Sequence, residues 1–112
     1  MAAYQPDRGD FVYLDYTPQA ESEMAGHRPA LILSPQRFNV ATGLAFACPV
    51  TNRVKGGSFE VPVPAAANVT GVVLSDQLRS LDWLARGARF HSHAPGDVVA
   101  EVLARIEAIL GG

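Results

Sequence analysis

One cysteine, Cys48, is all that the chain carries, so no internal disulfide can form and the disulfide-stapled secreted folds are excluded. No apolar run approaches the ~20 residues that a membrane-crossing helix needs. The opening MAAYQPDRGD lacks the basic-then-apolar layout of a secretory signal. These three absences set the expectation of a cytoplasmic protein with no membrane partner. Basic charge is also scarce: nine Lys and Arg stand against eleven Asp and Glu, for a net charge of −2. That excludes broad electrostatic attraction to phosphate, but it leaves room for a few arginines converging on one site. No GxSxG, P-loop, HExxH or dinucleotide fingerprint occurs. Internal repeats, low-complexity tracts and linkers are missing too.

What is present suits one domain spanning residues 1–112, with a modest core. At 48% hydrophobic and 18% charged, the chain is neither disordered nor fibrous. Short apolar runs punctuated by Gly, Pro and polar clusters predict strands at Phe11–Leu14, Ala30–Leu33, Leu44–Val50, Phe59–Val63 and Gly71–Leu74. One more is expected around Ala88–Phe90. Pro62 and Pro64 cannot donate to a ladder, so their strand should lie at an edge or end early. Such a set points to a small sandwich or barrel.

The C-terminus changes period. Val99, Val102, Leu103, Ile106, Ile109 and Leu110 recur at three- and four-residue spacing, which is one face of a helix. Pro95 suits its first position, Asp97 its positive end and Gly111-Gly112 its stop. Glu101 and Arg105 form a favourable i, i+4 pair. The helix is expected to pack on the β-core or on a partner chain.

The longest unstructured connection runs from Tyr16 to Arg28, and a loop of that length in a small domain is usually functional or disordered. It ends in Gly26-His27-Arg28-Pro29. Pro29 disfavours helix at Arg28 and holds it extended at a strand mouth. A guanidinium there suits a phosphate or carboxylate, or else a salt bridge to Asp15 or Glu23. Thr51 closes an apolar run and precedes Arg53 and Lys55 in a Gly-rich turn, which could receive a phosphate backbone or be an ordinary hairpin. Asp76, Gln77 and Arg79 follow another apolar run, as ligands for nucleotide edges or as a turn. Trp83 could stack on a base, though in a small core it is more often packed. His91 and His93 would share a strand face, but no accompanying motif has metal-site spacing, which favours a solvated pair and no metal. Cys48 lies within an apolar run and reads as core rather than nucleophile.

In these residues the sequence is similar to a known family. "RGDFVYLDYTP" followed by "SEMAGHRPALILSP" resembles the N-terminal signature of the MazF/PemK toxins of bacterial type II toxin–antitoxin systems. "CPVTNRVKGGSFEVPV" and "TGVVLSDQLRSLDWLARGA" resemble the parts that follow, in order, from Tyr4 to the final helix. The resemblance implies a mainly β (α+β) fold, a small SH3-like β-barrel with a C-terminal α-helix. It implies a homodimeric, cofactor-free, sequence-specific endoribonuclease (an mRNA interferase) that inhibits translation and growth. Such enzymes cut single-stranded RNA without metal, leaving a 2′,3′-cyclic phosphate and a 5′-hydroxyl. The expected partners are mRNA and a MazE-like antitoxin whose C-terminal segment covers the RNA groove.

By the same resemblance, the catalytic arginine and threonine fall on Arg28 and Thr51, and the loop glutamate on Glu23. Where the family usually reads Gly-Ser-Glu-Gln, this chain reads Glu21-Ser22-Glu23-Met24, which bears on the cleavage sequence more than on the chemistry. Ser22, Glu23, Met24, Arg53, Lys55, Asp76, Gln77 and Arg79 are the expected RNA-binding rim. Arg28 suits charge stabilisation. Glu23 and His27 are chemically better candidates for proton transfer, since an arginine keeps its proton. Two other readings use the same barrel: a toxin that poisons DNA gyrase by binding it, and a non-catalytic binding module.

Overall fold

A computed structural model of the chain describes residues 3–16 and 26–112. Among the described residues there are seven strands and two α-helices: β1 (Asp10–Asp15), β2 (His27–Ile32), α1 (Gln36–Thr42), β3 (Leu44–Thr51), β4 (Glu60–Pro62), β5 (Val72–Leu74), β6 (Arg79–Asp82), β7 (Arg89–His93) and α2 (Gly96–Gly111). All strand pairings are antiparallel, in the order β4-β5-β3-β2-β1-β7, with β6 joined to β3. The longest strand, β3, is the hub. It pairs β2, while its first half pairs β6 and its last two residues pair β5. This is the expected mainly β barrel with a C-terminal helix.

Strand alternation splits the apolar residues between two cores. Phe11, Leu31, Leu33, Cys48 and Val50 pack with Val98, Val102 and Ile106 of α2. Val12, Leu14, Tyr16, Ala30, Ile32, Ala45 and Ala47 pack with Leu81 and Trp83. β1, β2 and β3 therefore feed both cores, with Tyr13, Leu44 and Phe46 left exposed, and a one-residue slip would exchange the two cores. Val102 is fully buried, which stabilises by about 1.5–3 kcal/mol.

Several elements depart from the sequence expectation. The strand around Pro62 shortens to β4 and lies at the edge, as its prolines require. The single late strand extends to form β7, and β6 is an additional strand. Its sequence, Arg-Ser-Leu-Asp, buries only Leu81, too little to stand out as an apolar run. The α1 helix was likewise not expected. Its one buried residue is polar, Asn39, so no apolar face marks it; it ends at Gly43 in the left-handed region (φ 73°). Pro95 caps α2 rather than opening it. The buried seam of α2 runs through Val98, Val102 and Ile106, whereas Ile109 and Leu110 are exposed. Glu101 and Arg105 do pair, at 2.8 Å.

Candidate active site

The ends of three central strands meet on one side of the barrel. In the β1–β2 ladder, Leu14 faces Arg28 and Asp15 faces His27. The β2–β3 ladder runs Ile32–Ala47, Leu31–Cys48, Ala30–Pro49 and stops. Pro29, next in line, brings no N–H to a further rung. Carried two residues on, the same register sets Arg28 opposite Thr51. Alternation puts both on the face that holds Ala30, Ile32 and Ala47 further along. A cation and a hydroxyl thus flank the end of the β2–β3 ladder.

Arg28 is half-buried within β2, inside the strand rather than before it. Thr51 is only 5% exposed. Its Oγ1 accepts the Arg53 backbone N–H at 3.1 Å. Accepting that bond occupies a lone pair and leaves the hydroxyl proton to be donated elsewhere. His27 is exposed, and alternation turns it to the opposite face of β2 from Arg28.

The segment between β5 and β6 adds the next layer. A 3-10 turn at Ser75–Gln77 follows β5, and the Ser75 carbonyl lies 3.9 Å from the Cys48 thiol on β3. Asp76 is exposed there and Gln77 half-buried. Arg79 opens β6 opposite Ala47. It donates to the Tyr16 carbonyl at 3.2 Å, and its guanidinium stands 5.4 Å from the centre of the Tyr16 ring. Tyr16 N–H in turn donates to the Gly26 carbonyl at 3.0 Å. Arg79 is therefore held where the chain leaves β1 and returns to β2, one strand end away from Arg28.

Arg53 and Lys55 extend from an exposed segment whose backbone is tethered. The Glu60 carboxylate accepts the N–H groups of Lys55 and Gly56. Arg105 of α2 donates to the Ser58 carbonyl. Their side chains stay exposed while the chain beneath them is held.

Burial dominates the titration of the groups below the site. It pushes the Cys48 thiol up to about 12, with the Asp76 charge adding to the effect. Cys48 is thus a core residue. Tyr16 is also raised, mainly by burial and then by Cys48, against the lowering influence of Arg79 and Arg86. Its hydroxyl is buried with no hydrogen-bond partner among the described residues. Trp83 is packed, its Nε1 donating to the Asn39 carbonyl at 2.9 Å, and offers no face to a base. His91 and His93 are exposed, and His93 Nδ1 lies 3.2 Å from Asp10 Oδ1. Among the described residues no group of three or more His, Cys, Asp or Glu could hold a metal ion.

Of the expected residues, His27, Arg28 and Thr51 stand at the ends of β2 and β3, and the Arg79 guanidinium reaches the end of β1 at the Tyr16 carbonyl, whereas Asp76 and Gln77 lie in the turn beside Cys48, in the middle of β3. Arg53 and Lys55 follow directly after Thr51. Ser22, Glu23 and Met24 lie outside the described residues.

A family model described as PemK-like, MazF-like toxin of type II toxin–antitoxin system matches residues 7–110. This chain belongs to the PemK/MazF toxin family. It is 39% identical to the endoribonuclease toxin MazF of Escherichia coli K12, over 99% of both chains. Its fold superposes on a crystal structure of MazF from Deinococcus radiodurans with a TM-score of 0.95 at 53% identity, covering 98% of this chain and 100% of the other. A MazE–MazF structure from the same organism matches with a TM-score of 0.88 at 53% identity, over 96% and 98%.

The resemblance seen in the sequence therefore holds along the whole PemK/MazF chain. Sequence reasoning missed the role of Tyr16 as the platform for Arg79. Its signal was there: Val12, Leu14 and Tyr16 share one strand period.

Proposed function

We propose that this protein is the endoribonuclease toxin of a type II toxin–antitoxin module and that it cuts single-stranded RNA through Arg28 and Thr51 without metal. The observation that carries the reading is a strand register that, carried past the end of the ladder, sets a guanidinium opposite a hydroxyl, in a chain of this family. A MazE-like antitoxin, a homodimeric assembly and a cytoplasmic location belong to the same reading. Among the described residues no helix is long and apolar enough to cross a membrane.

The chemistry follows from what cleavage requires. The 2′-oxygen attacks the neighbouring phosphorus in line. The O2′–P bond forms as the P–O5′ bond breaks, one proton leaves O2′ and one reaches O5′. The products are a 2′,3′-cyclic phosphate and a 5′-hydroxyl. Arg28 matches the two non-bridging oxygens in charge and fork geometry, so its main task is to stabilise the crowded anionic state. It can also pass a proton to the leaving oxygen. Thr51 donates its hydroxyl proton in a hydrogen bond to the same phosphate. His27 faces away from Arg28 and is the weaker candidate for proton transfer. That leaves Glu23, between β1 and β2 in the sequence, as the candidate acceptor of the O2′ proton. Arg53 and Lys55 would meet the flanking backbone, and Asp76, Gln77 and Arg79 would meet splayed bases or their phosphates.

The test is to incubate the purified protein with a mixed single-stranded RNA, with and without a chelator, and map the ends. Discrete cuts bearing cyclic phosphate, unaffected by chelator, are expected. Chelator-sensitive cutting would end the metal-free reading. Intact RNA with inhibited gyrase supercoiling would replace the nuclease with a gyrase poison. Intact RNA with neither effect would leave a binding module.

A further inference from the structure

Gly71 stands immediately before β5 with φ +111°, in the region that side chains rarely adopt. A Cβ built there would lie 2.2 Å from the Thr51 carbonyl oxygen and 2.8 Å from the Thr51 carbonyl carbon. Asn52 Oδ1 would be 3.1 Å away. The two nearest atoms are backbone and cannot rotate aside. Opening the shortest contact to an ordinary van der Waals distance takes about 1 Å of movement. The described glycines with positive φ at 26, 43, 56 and 87 have nothing within 4 Å of such a Cβ. Gly71 is therefore set apart by what it touches.

Its surroundings tie it to Thr51 from several directions. Val72, the next residue, pairs with Thr51 in the β3–β5 ladder. The Gly71 carbonyl accepts the Val63 N–H at 3.0 Å, which holds it from the β4 side. The Thr70 hydroxyl donates to Asn52 Oδ1 at 2.9 Å, bridging the residues that flank the close approach. Arg53 N–H fixes the Thr51 hydroxyl oxygen from the other side.

We infer that Gly71 is a positioning residue for the cleavage reaction. Its bare backbone lets β5 close against Thr51, and that closure sets where the Thr51 hydroxyl meets the scissile phosphate. The inference rests on the proposed contact between Thr51 and that phosphate. A displacement of roughly 1 Å in a catalytic contact lowers rate by about 10²-fold, through lost alignment rather than lost binding.

The test uses an RNA with one mapped cleavage site, made with each of the two phosphorothioate diastereomers at the scissile phosphate. Single-turnover rates at saturating protein give a ratio between diastereomers. Wild type should prefer one, because the Thr51 hydroxyl addresses one non-bridging oxygen. Thr51→Ala should collapse the ratio toward one. Gly71→Ala should move it the same way, with the rate about 10²-fold lower and RNA affinity within about 3-fold of wild type. Gly43→Ala also puts a side chain on positive-φ backbone (φ 73°), with nothing near its Cβ and away from the site, and should keep the wild-type ratio, which separates positioning from simple destabilisation.

A wild-type rate and ratio in Gly71→Ala overturn the inference. If Gly71→Ala does not fold, Thr70→Val carries the test. It removes only the hydroxyl given to Asn52 and should move the ratio in the same direction by a smaller factor; an unchanged ratio there overturns the inference equally. A wild-type ratio near one, or a Thr51→Ala ratio equal to wild type, instead sinks the Thr51 contact itself.

Discussion

The two ends of β1 handle polar groups in different ways. At the Asp10 end they are turned inward and paired. The buried Asp10 carboxylate accepts the Tyr4 hydroxyl at 2.5 Å and the Asp7 N–H at 3.0 Å, with His93 beside it. Burial and this hydrogen bond together raise the Tyr4 phenol. Nearby, fully buried Asn39 donates to the Pro6 and Ser34 carbonyls and accepts the Ser34 hydroxyl. At the Asp15 end the groups are arginines on backbone: Arg79 donates to the Tyr16 carbonyl and sits on its ring, Arg86 donates to the Asp15 carbonyl, and Arg28 stands opposite Leu14. Both ends are polar and paired, but one is knit around a buried carboxylate and the other around arginine side chains that are only half-buried. A polar residue type alone says nothing about which it will be; its partners do.

That contrast is open to experiment, beginning with the largest effect. Arg28→Ala and Thr51→Ala should each lower RNA cleavage by about 10²–10³-fold or more while the melting temperature stays near wild type. Cleavage at the parental rate in either would move the chemistry away from this end. Asn39→Ala should do the reverse. Leaving the Ser34 hydroxyl and two carbonyls short of partners should cost about 2–3 kcal/mol in denaturant unfolding, with the folded fraction still cutting RNA normally. Smaller again, Arg53→Ala or Lys55→Ala should weaken RNA binding and shallow its salt dependence by roughly 0.7 in the log–log slope per lost phosphate contact.

The smallest effect belongs to Tyr16→Phe. Removing a buried hydroxyl without a described partner should leave stability at neutral pH unchanged or raise it by up to about 1 kcal/mol. The same variant sharpens an alkaline prediction. Tyr16 and Cys48 both titrate higher in the folded protein than in the unfolded chain. Their contribution is therefore complete below the unfolded values and is lost as pH rises through the folded ones. For Cys48 that window runs from its ordinary value of 9.0 to about 12. Melting temperature should fall as pH rises across that window, and less steeply in Tyr16→Phe. An identical slope in both proteins would assign the alkaline loss elsewhere.

How much of this was legible depended on whether a signal was local. The strands at Phe11–Leu14 and Leu44–Val50 were plain because each alternates into two apolar cores, so nearly every residue is apolar. The α1 helix was hidden because the residue it buries is Asn39, whose partners lie on Pro6 and Ser34. The β6 strand was hidden because it is recruited by the first half of β3 and not by an apolar run of its own. In the site, Arg28 and Thr51 were visible through the ordered motifs around them. Gly71 read only as the first residue of a strand, since nothing in "NVTGVV" reveals that a carbonyl from twenty residues earlier would lie against it.

By itself the sequence determined the β-rich class, the terminal helix, the family and the identities of the candidate catalytic pair. Those rest on period, punctuation and ordered motifs, which are properties of neighbouring residues. Tertiary structure alone decided the register that points Arg28 toward Thr51, that Arg79 rests on Tyr16, and that Gly71 closes on Thr51. Each of those depends on register between strands far apart in the chain, and register is set by which apolar side chains can be buried together, not by any one segment.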